Sequence, residues 1–74
     1  MEEKLIKILT ELRPEFDFRQ KVDFIDEGML DSFDIVTLVD AIECEFGVAI
    51  SGVDVVPENF NSLESILRTI QKSK

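Results

Sequence analysis

Three stretches of this chain repeat apolar residues at helical spacing, and that repetition limits the fold more than any other feature. Leu5, Ile8, Leu9 and Leu12 stand at i, i+3, i+4 and i+7, the spacing that places side chains on one face of an α-helix. Glu2 and Glu3 at the start and Arg13 at the end complement the helix dipole. Pro14 disfavours helical geometry at Arg13 and predicts a stop there. Ile35, Leu38, Val39, Ile42 and Phe46 form a second stripe on a helix read from Ser32 to about Phe46. Asp31 is its N-cap and Gly47 its C-terminal stop. Leu63, Ile66, Leu67 and Ile70 repeat the pattern a third time, with Arg68, Lys72 and Lys74 towards the end. This last helix is expected to start at Asn61 or Ser62, because Asn61 and Glu64 have capping-box spacing.

The intervening segments are not plain linkers. From Pro14 to Leu30 no helical period persists, yet Phe16, Phe18, Val22, Phe24 and Ile25 are spaced like anchors of a loop lying on a core. Gly28 supplies a turn position before the second helix. Val48 to Val56 is β-branched and interrupted by Ser51-Gly52. A strand there would lack a partner, so a single helical turn near Val53 to Val56 is expected. The predicted fold class is all-α: a small four-helix bundle of three main helices and one short one, with a long loop between helices 1 and 2. The 74 residues are read as a single domain with no room for a separate catalytic lobe.

Charge narrows the partners. The net charge is -8, and between Lys21 and Arg68 the chain has no basic residue but eleven acidic ones. Such a field repels nucleic acid and anionic lipid and speeds encounter with basic protein patches. With one Cys and no His, an internal disulfide is excluded and no zinc site is expected. The opening Met1-Glu2-Glu3-Lys4-Leu5 lacks the apolar core of a signal peptide, and no apolar run approaches the roughly 20 residues of a membrane span. A cytoplasmic monomer is the expectation.

Ser32, at the mouth of the second helix, is the residue whose chemistry needs an account. A hydroxyl is a weak nucleophile without a base, and the absence of His removes a Ser-His arrangement. A Ser-Lys variant would have to draw on lysines at the two ends of the sequence, and Leu30-Asp31-Ser32-Phe33-Asp34 does not match G-x-S-x-G. A catalytic role is therefore not expected. A helix N-terminus does favour an attached anion, because its free N–H groups and dipole point at it. Asp31 and Asp34 oppose that in part by repulsion. By position alone, an exposed polar residue in the first turn is the simpler reading.

The wider pattern is more specific. Gly28-Met29-Leu30-Asp31-Ser32-Phe33, the helix from Asp34 to Phe46 and the following Gly47 resemble the phosphopantetheine-attachment region of acyl and peptidyl carrier proteins, and the likeness in architecture, size and acidity extends over nearly the whole chain. The resemblance implies a non-enzymatic carrier of acyl-carrier type. Ser32 would be esterified by 4′-phosphopantetheine donated by coenzyme A, with Asp31 as cap and motif residue. The arm would hold acyl or aminoacyl groups as thioesters. The implied partners are a phosphopantetheinyl transferase, an acyl- or aminoacyl-loading ligase and downstream synthase enzymes, which would read the second helix. The helical wheel independently turns Phe33, Val36, Asp40 and Glu43 outward, an apolar spot with an acidic edge suited to docking. Phe33 stands where such carriers often have Leu or Met, and Thr37 and Cys44 occupy outward positions that are frequently acidic in fatty-acid carriers. Together with the segment Val55 to Leu63, these departures resemble stand-alone carriers of specialised pathways, including aminoacyl and D-alanyl carriers.

Two readings of other classes stand beside this one. Asp23, Glu27, Gly28 and Asp34 fall at positions 1, 5, 6 and 12 of an EF-hand-like calcium loop, although Ile25 at position 3 breaks the ligand set and Asp34 is shorter than the usual Glu. The other is a small acidic helical adaptor without a prosthetic group. Cys44, outward and without a basic neighbour, has no evident activation.

Overall fold

The computed structural model describes residues 2–74; Met1, the first residue of the opening segment weighed above as a signal peptide, lies outside them. Three α-helices follow in order, α1 (Glu2–Leu12), α2 (Ser32–Phe46) and α3 (Leu63–Lys72), with two 3₁₀ turns, Gly52–Asp54 and Pro57–Asn59, between α2 and α3. There is no strand among the described residues. The all-α expectation is met, and α2 occupies the residues its stripe marks out. α1 stops one residue before Arg13, as the Pro14 restriction requires.

The three stripes converge on one core. Leu5 and Leu9 of α1, Leu38 and Ile42 of α2, and Ile66 and Ile70 of α3 are completely buried, each such aliphatic side chain contributing about 1.5–3 kcal/mol relative to exposure. α1 packs against both α2 and α3.

The long connection completes that core. Phe18, Phe24, Met29 and Leu30 are buried and belong to the same cluster as the helical stripes, while Phe16, Val22 and Ile25 pack against it half-buried. The Phe24 ring meets Phe18 edge-on at 5.1 Å between centroids, a favoured aromatic geometry. The backbone of Phe24 ties three places together: its N–H donates to the Asn61 carbonyl at 2.8 Å, and its carbonyl accepts from Met29 at 2.9 Å and Leu30 at 3.1 Å. Gly28 allows this return with φ of 74°. The loop therefore delivers the chain to the start of α2 at a fixed position.

The segment after α2 differs in detail from the expected single turn over Val53 to Val56. It forms two 3₁₀ turns on either side of Val55-Val56, the second with Pro57 at its first position, where a residue lacking an N–H is tolerated. Lys72 reaches back from α3 to Asp54 at 2.7 Å, and the Asn59 side chain donates to the Asp54 carbonyl at 2.7 Å. The start of α3 also shifts by one residue. Ser62, not Asn61, is the N-cap, accepting from the Ser65 N–H at 3.1 Å. The Asn61 carboxamide oxygen instead accepts from the Ser65 hydroxyl at 3.0 Å.

Candidate functional site at the mouth of α2

Ser32 is the first residue of α2 and is exposed. Its position is set from both sides. Asp31 at the N-cap is extended, with φ of -116° and ψ of -178°, and its Oδ1 accepts from the Asp34 N–H at 2.9 Å. In return, Asp34 Oδ2 accepts from the Asp31 N–H at 3.2 Å. This is a reciprocal capping box in which aspartate takes the place usually held by Glu or Gln. Leu30 and Ile35, at the positions where a hydrophobic staple forms, both lie in the core cluster. Polar cap and apolar staple together fix the angle at which the chain enters the helix.

Asp34 is buried, although its place in the first turn suggested only a carboxylate repelling an anion on Ser32. Arg13, 21 residues earlier, explains the burial: its Nε and Nη2 donate to Asp34 Oδ2 at 3.0 and 2.8 Å. The same Nη2 lies 3.8 Å from Asp31 Oδ2, and Nη1 lies 3.4 Å from Glu15 Oε2. Burial pushes the Asp34 carboxyl up, but the Arg13 hydrogen bonds, the Asp31 backbone N–H and the Arg13 charge outweigh it and hold the carboxyl below its ordinary value. The Asp34 contact correspondingly raises Arg13. The mouth of α2 thus carries two carboxylates and one guanidinium, not two unopposed negative charges.

The outward face of α2 follows the helical wheel. Phe33 is 80% and Val36 62% exposed, and Asp40, Thr37 and Cys44 are exposed as well. Glu43 differs from its three proposed companions. It is half-buried, and its Oε2 accepts from the Ile50 N–H at 2.8 Å, so its carboxylate also holds the chain that leaves α2. Gly47 begins that exit in the left-handed conformation, φ 64°, its N–H donating to the Glu43 carbonyl at 3.0 Å. Of two open surface grooves, one of about 630 Å³ lies between the loop residues Arg19 to Asp23 and the start of α3, and one of about 380 Å³ lies between α1 and α2, with Thr37 and Cys44 on its edge. Ser32 lines neither.

The calcium-loop arrangement does not assemble. Asp23 Oδ1 is occupied by the N–H groups of Ile25 and Asp26, each at 2.9 Å, while Asp34 Oδ2 is bound to Arg13. No group of three or more potential metal-ligating side chains occurs among the described residues.

The family model for the phosphopantetheine attachment site matches residues 4–70. The chain belongs to this family of carrier domains. No curated protein and no solved structure matches the chain significantly. Members of the family carry covalently attached 4′-phosphopantetheine and are carriers, not catalysts, that interact with partner enzymes such as transferases and synthases. An exposed hydroxyl at a capped helix N-terminus fits such a group chemically: it is open to a modifying enzyme, and a phosphodiester there faces the positive end of the helix dipole. No helix among the described residues is long and apolar enough to cross a membrane.

Sequence reasoning missed Arg13 and the structural part of Glu43. Asp31-x-x-Asp34 has capping-box spacing, which could have marked Asp34 as a box residue but carries no signal for Arg13. A carboxylate one turn before the end of α2 gave no comparable signal for the second.

Proposed function

We propose that the chain is an acyl carrier protein, one carrier unit over its 74 residues, in which Ser32 is the attachment point for 4′-phosphopantetheine. The observation that carries this reading is the exposed serine at the first position of α2, behind the Asp31 cap, within a chain that matches the family over residues 4–70. When bound, the arm supplies a terminal thiol that holds the cargo as a thioester. The chain's own residues fix the tether: Asp31 and Asp34 lock the helix start, and the Phe24 knot sets where that start lies. Phe33, Val36 and Asp40 form the docking face for the transferase, the loading ligase and the synthases, with Glu43 at its edge. An aminoacyl or D-alanyl cargo is the second reading, supported by the exposed Phe33, Thr37 and Cys44, which give this face a less acidic character than fatty-acid carriers commonly have.

Thiol titration tests the tether. The unmodified chain has one thiol, Cys44; incubation with coenzyme A and a transferase adds a second in the wild type and none in Ser32→Ala. Exposure of the loaded chain to fatty-acid and amino-acid activating ligases, followed by intact mass, separates the two cargo classes.

A further inference from the structure

We propose that Arg13 is a positioning residue for the loading of Ser32, its guanidinium offsetting the carboxylates that flank this hydroxyl so that a phosphodiester is accepted there. The inference rests on Ser32 as the attachment point. In the transfer a bond forms between Ser32 Oγ and phosphorus as a pyrophosphate P–O bond of coenzyme A breaks. Adenosine 3′,5′-bisphosphate leaves, and the hydroxyl proton passes to the transferase or to solvent. The product places a permanent negative charge on the residue between Asp31 and the buried Asp34.

Arg13 is positioned against both carboxylates from outside α2. It donates twice to Asp34 Oδ2 and lies 3.8 Å from Asp31 Oδ2, while Glu15 approaches its other nitrogen at 3.4 Å. No other basic side chain makes an ion pair with Asp31 or Asp34 among the described residues. The Arg13 fork binds the same oxygen that accepts the Asp31 N–H, so it also stiffens the capping box that presents Ser32. A flexible surface lysine would provide charge without that fork.

The test compares wild type, Arg13→Met, Arg13→Lys and Arg13→Met/Asp34→Asn in the full chain, with loading by coenzyme A and a transferase followed by time-resolved intact mass. Unfolding midpoints are measured before and after loading. Arg13→Met is expected to load about tenfold more slowly at low salt, the size of one uncompensated charge within roughly 10 Å at an effective dielectric constant near 20. Relative to the shift that loading causes in wild type, the midpoint of Arg13→Met should fall by roughly a further 5 °C, an excess that shrinks at high salt. Arg13→Lys should keep most of the wild-type rate. The double variant, which restores the local net charge, should return towards wild type in both measurements. A structural role alone would shift the midpoints before and after loading equally. If Arg13→Met does not fold, Arg13→Gln, which removes the charge but keeps a polar side chain, takes its place in the same comparison. Equal loading shifts in all variants, or a double variant slower than Arg13→Met, overturns the role of Arg13 while leaving the attachment reading intact. A wild type that is not loaded at Ser32 overturns both.

Discussion

Replacing Phe24 by Ala tests whether the connection between α1 and α2 is part of the scaffold or a tether lying on it. The side chain is fully buried, meets Phe18 edge-on, and sits where the backbone bonds to Asn61, Met29 and Leu30. Truncating a buried Phe to Ala costs about 3–5 kcal/mol. A chain of 74 residues has a total stability of about 4–11 kcal/mol, so the substitution should remove a large fraction of it. With a urea m-value near 1 kcal/mol/M for so small a domain, the denaturation midpoint followed by far-ultraviolet circular dichroism should fall by about 3–5 M, or the folded baseline should vanish. A loss below about 1 kcal/mol, the range of a surface change, would refute the view that this loop holds α2 in place.

Three further outcomes follow from particular residues. The Asp34 carboxyl is held below its ordinary value, so the unfolded chain binds more protons on acidification; its stabilisation is complete above the ordinary carboxylate range and is lost as pH falls through the lowered native value. Urea denaturation across acidic pH should therefore show a steeper loss in wild type than in Asp34→Asn, and identical slopes would remove the effect. Gly47→Ala should cost about 1 kcal/mol from the left-handed backbone alone, since an added Cβ would meet nothing within 4 Å; a thermal midpoint lower by about 4–8 °C checks it. Phe33→Ser with Val36→Ser should leave stability within about 0.5 kcal/mol while raising the KM of the chain as substrate for its transferase or ligase. An unchanged KM would show that this face is not read.

The parts legible in the sequence are those with a local, repeating cause. The stripe from Ile35 to Phe46, the Asp31 cap and Gly47 delimit α2 without any knowledge of the rest of the molecule, and the spaced phenylalanines mark a loop that lies on the core. The remaining details depend on residues far apart or on competing local choices. Arg13 and Asp34 meet across 21 residues, and no periodic pattern announces such a pair; read alone, Asp34 is only another negative charge. Glu43 becomes a partner of Ile50 once Gly47 turns the chain back. At the start of α3, Asn61 and Ser62 each have a residue three positions on that can complete a cap, and the fold selects Ser62 with Ser65. The β-branched run before Pro57 holds one 3₁₀ turn, Gly52–Asp54, and the proline begins a second one beyond the run, Pro57–Asn59.

Attachment is assigned to a single oxygen atom, Ser32 Oγ. Intact-mass analysis after incubation with coenzyme A and a broad-specificity phosphopantetheinyl transferase, followed by peptide mapping, tests it most directly. One phosphopantetheine is expected on the wild type, located on the peptide containing Ser32, and none on Ser32→Ala. A wild type left unmodified by several transferases, or a Ser32→Ala chain that still gains the group, would contradict it.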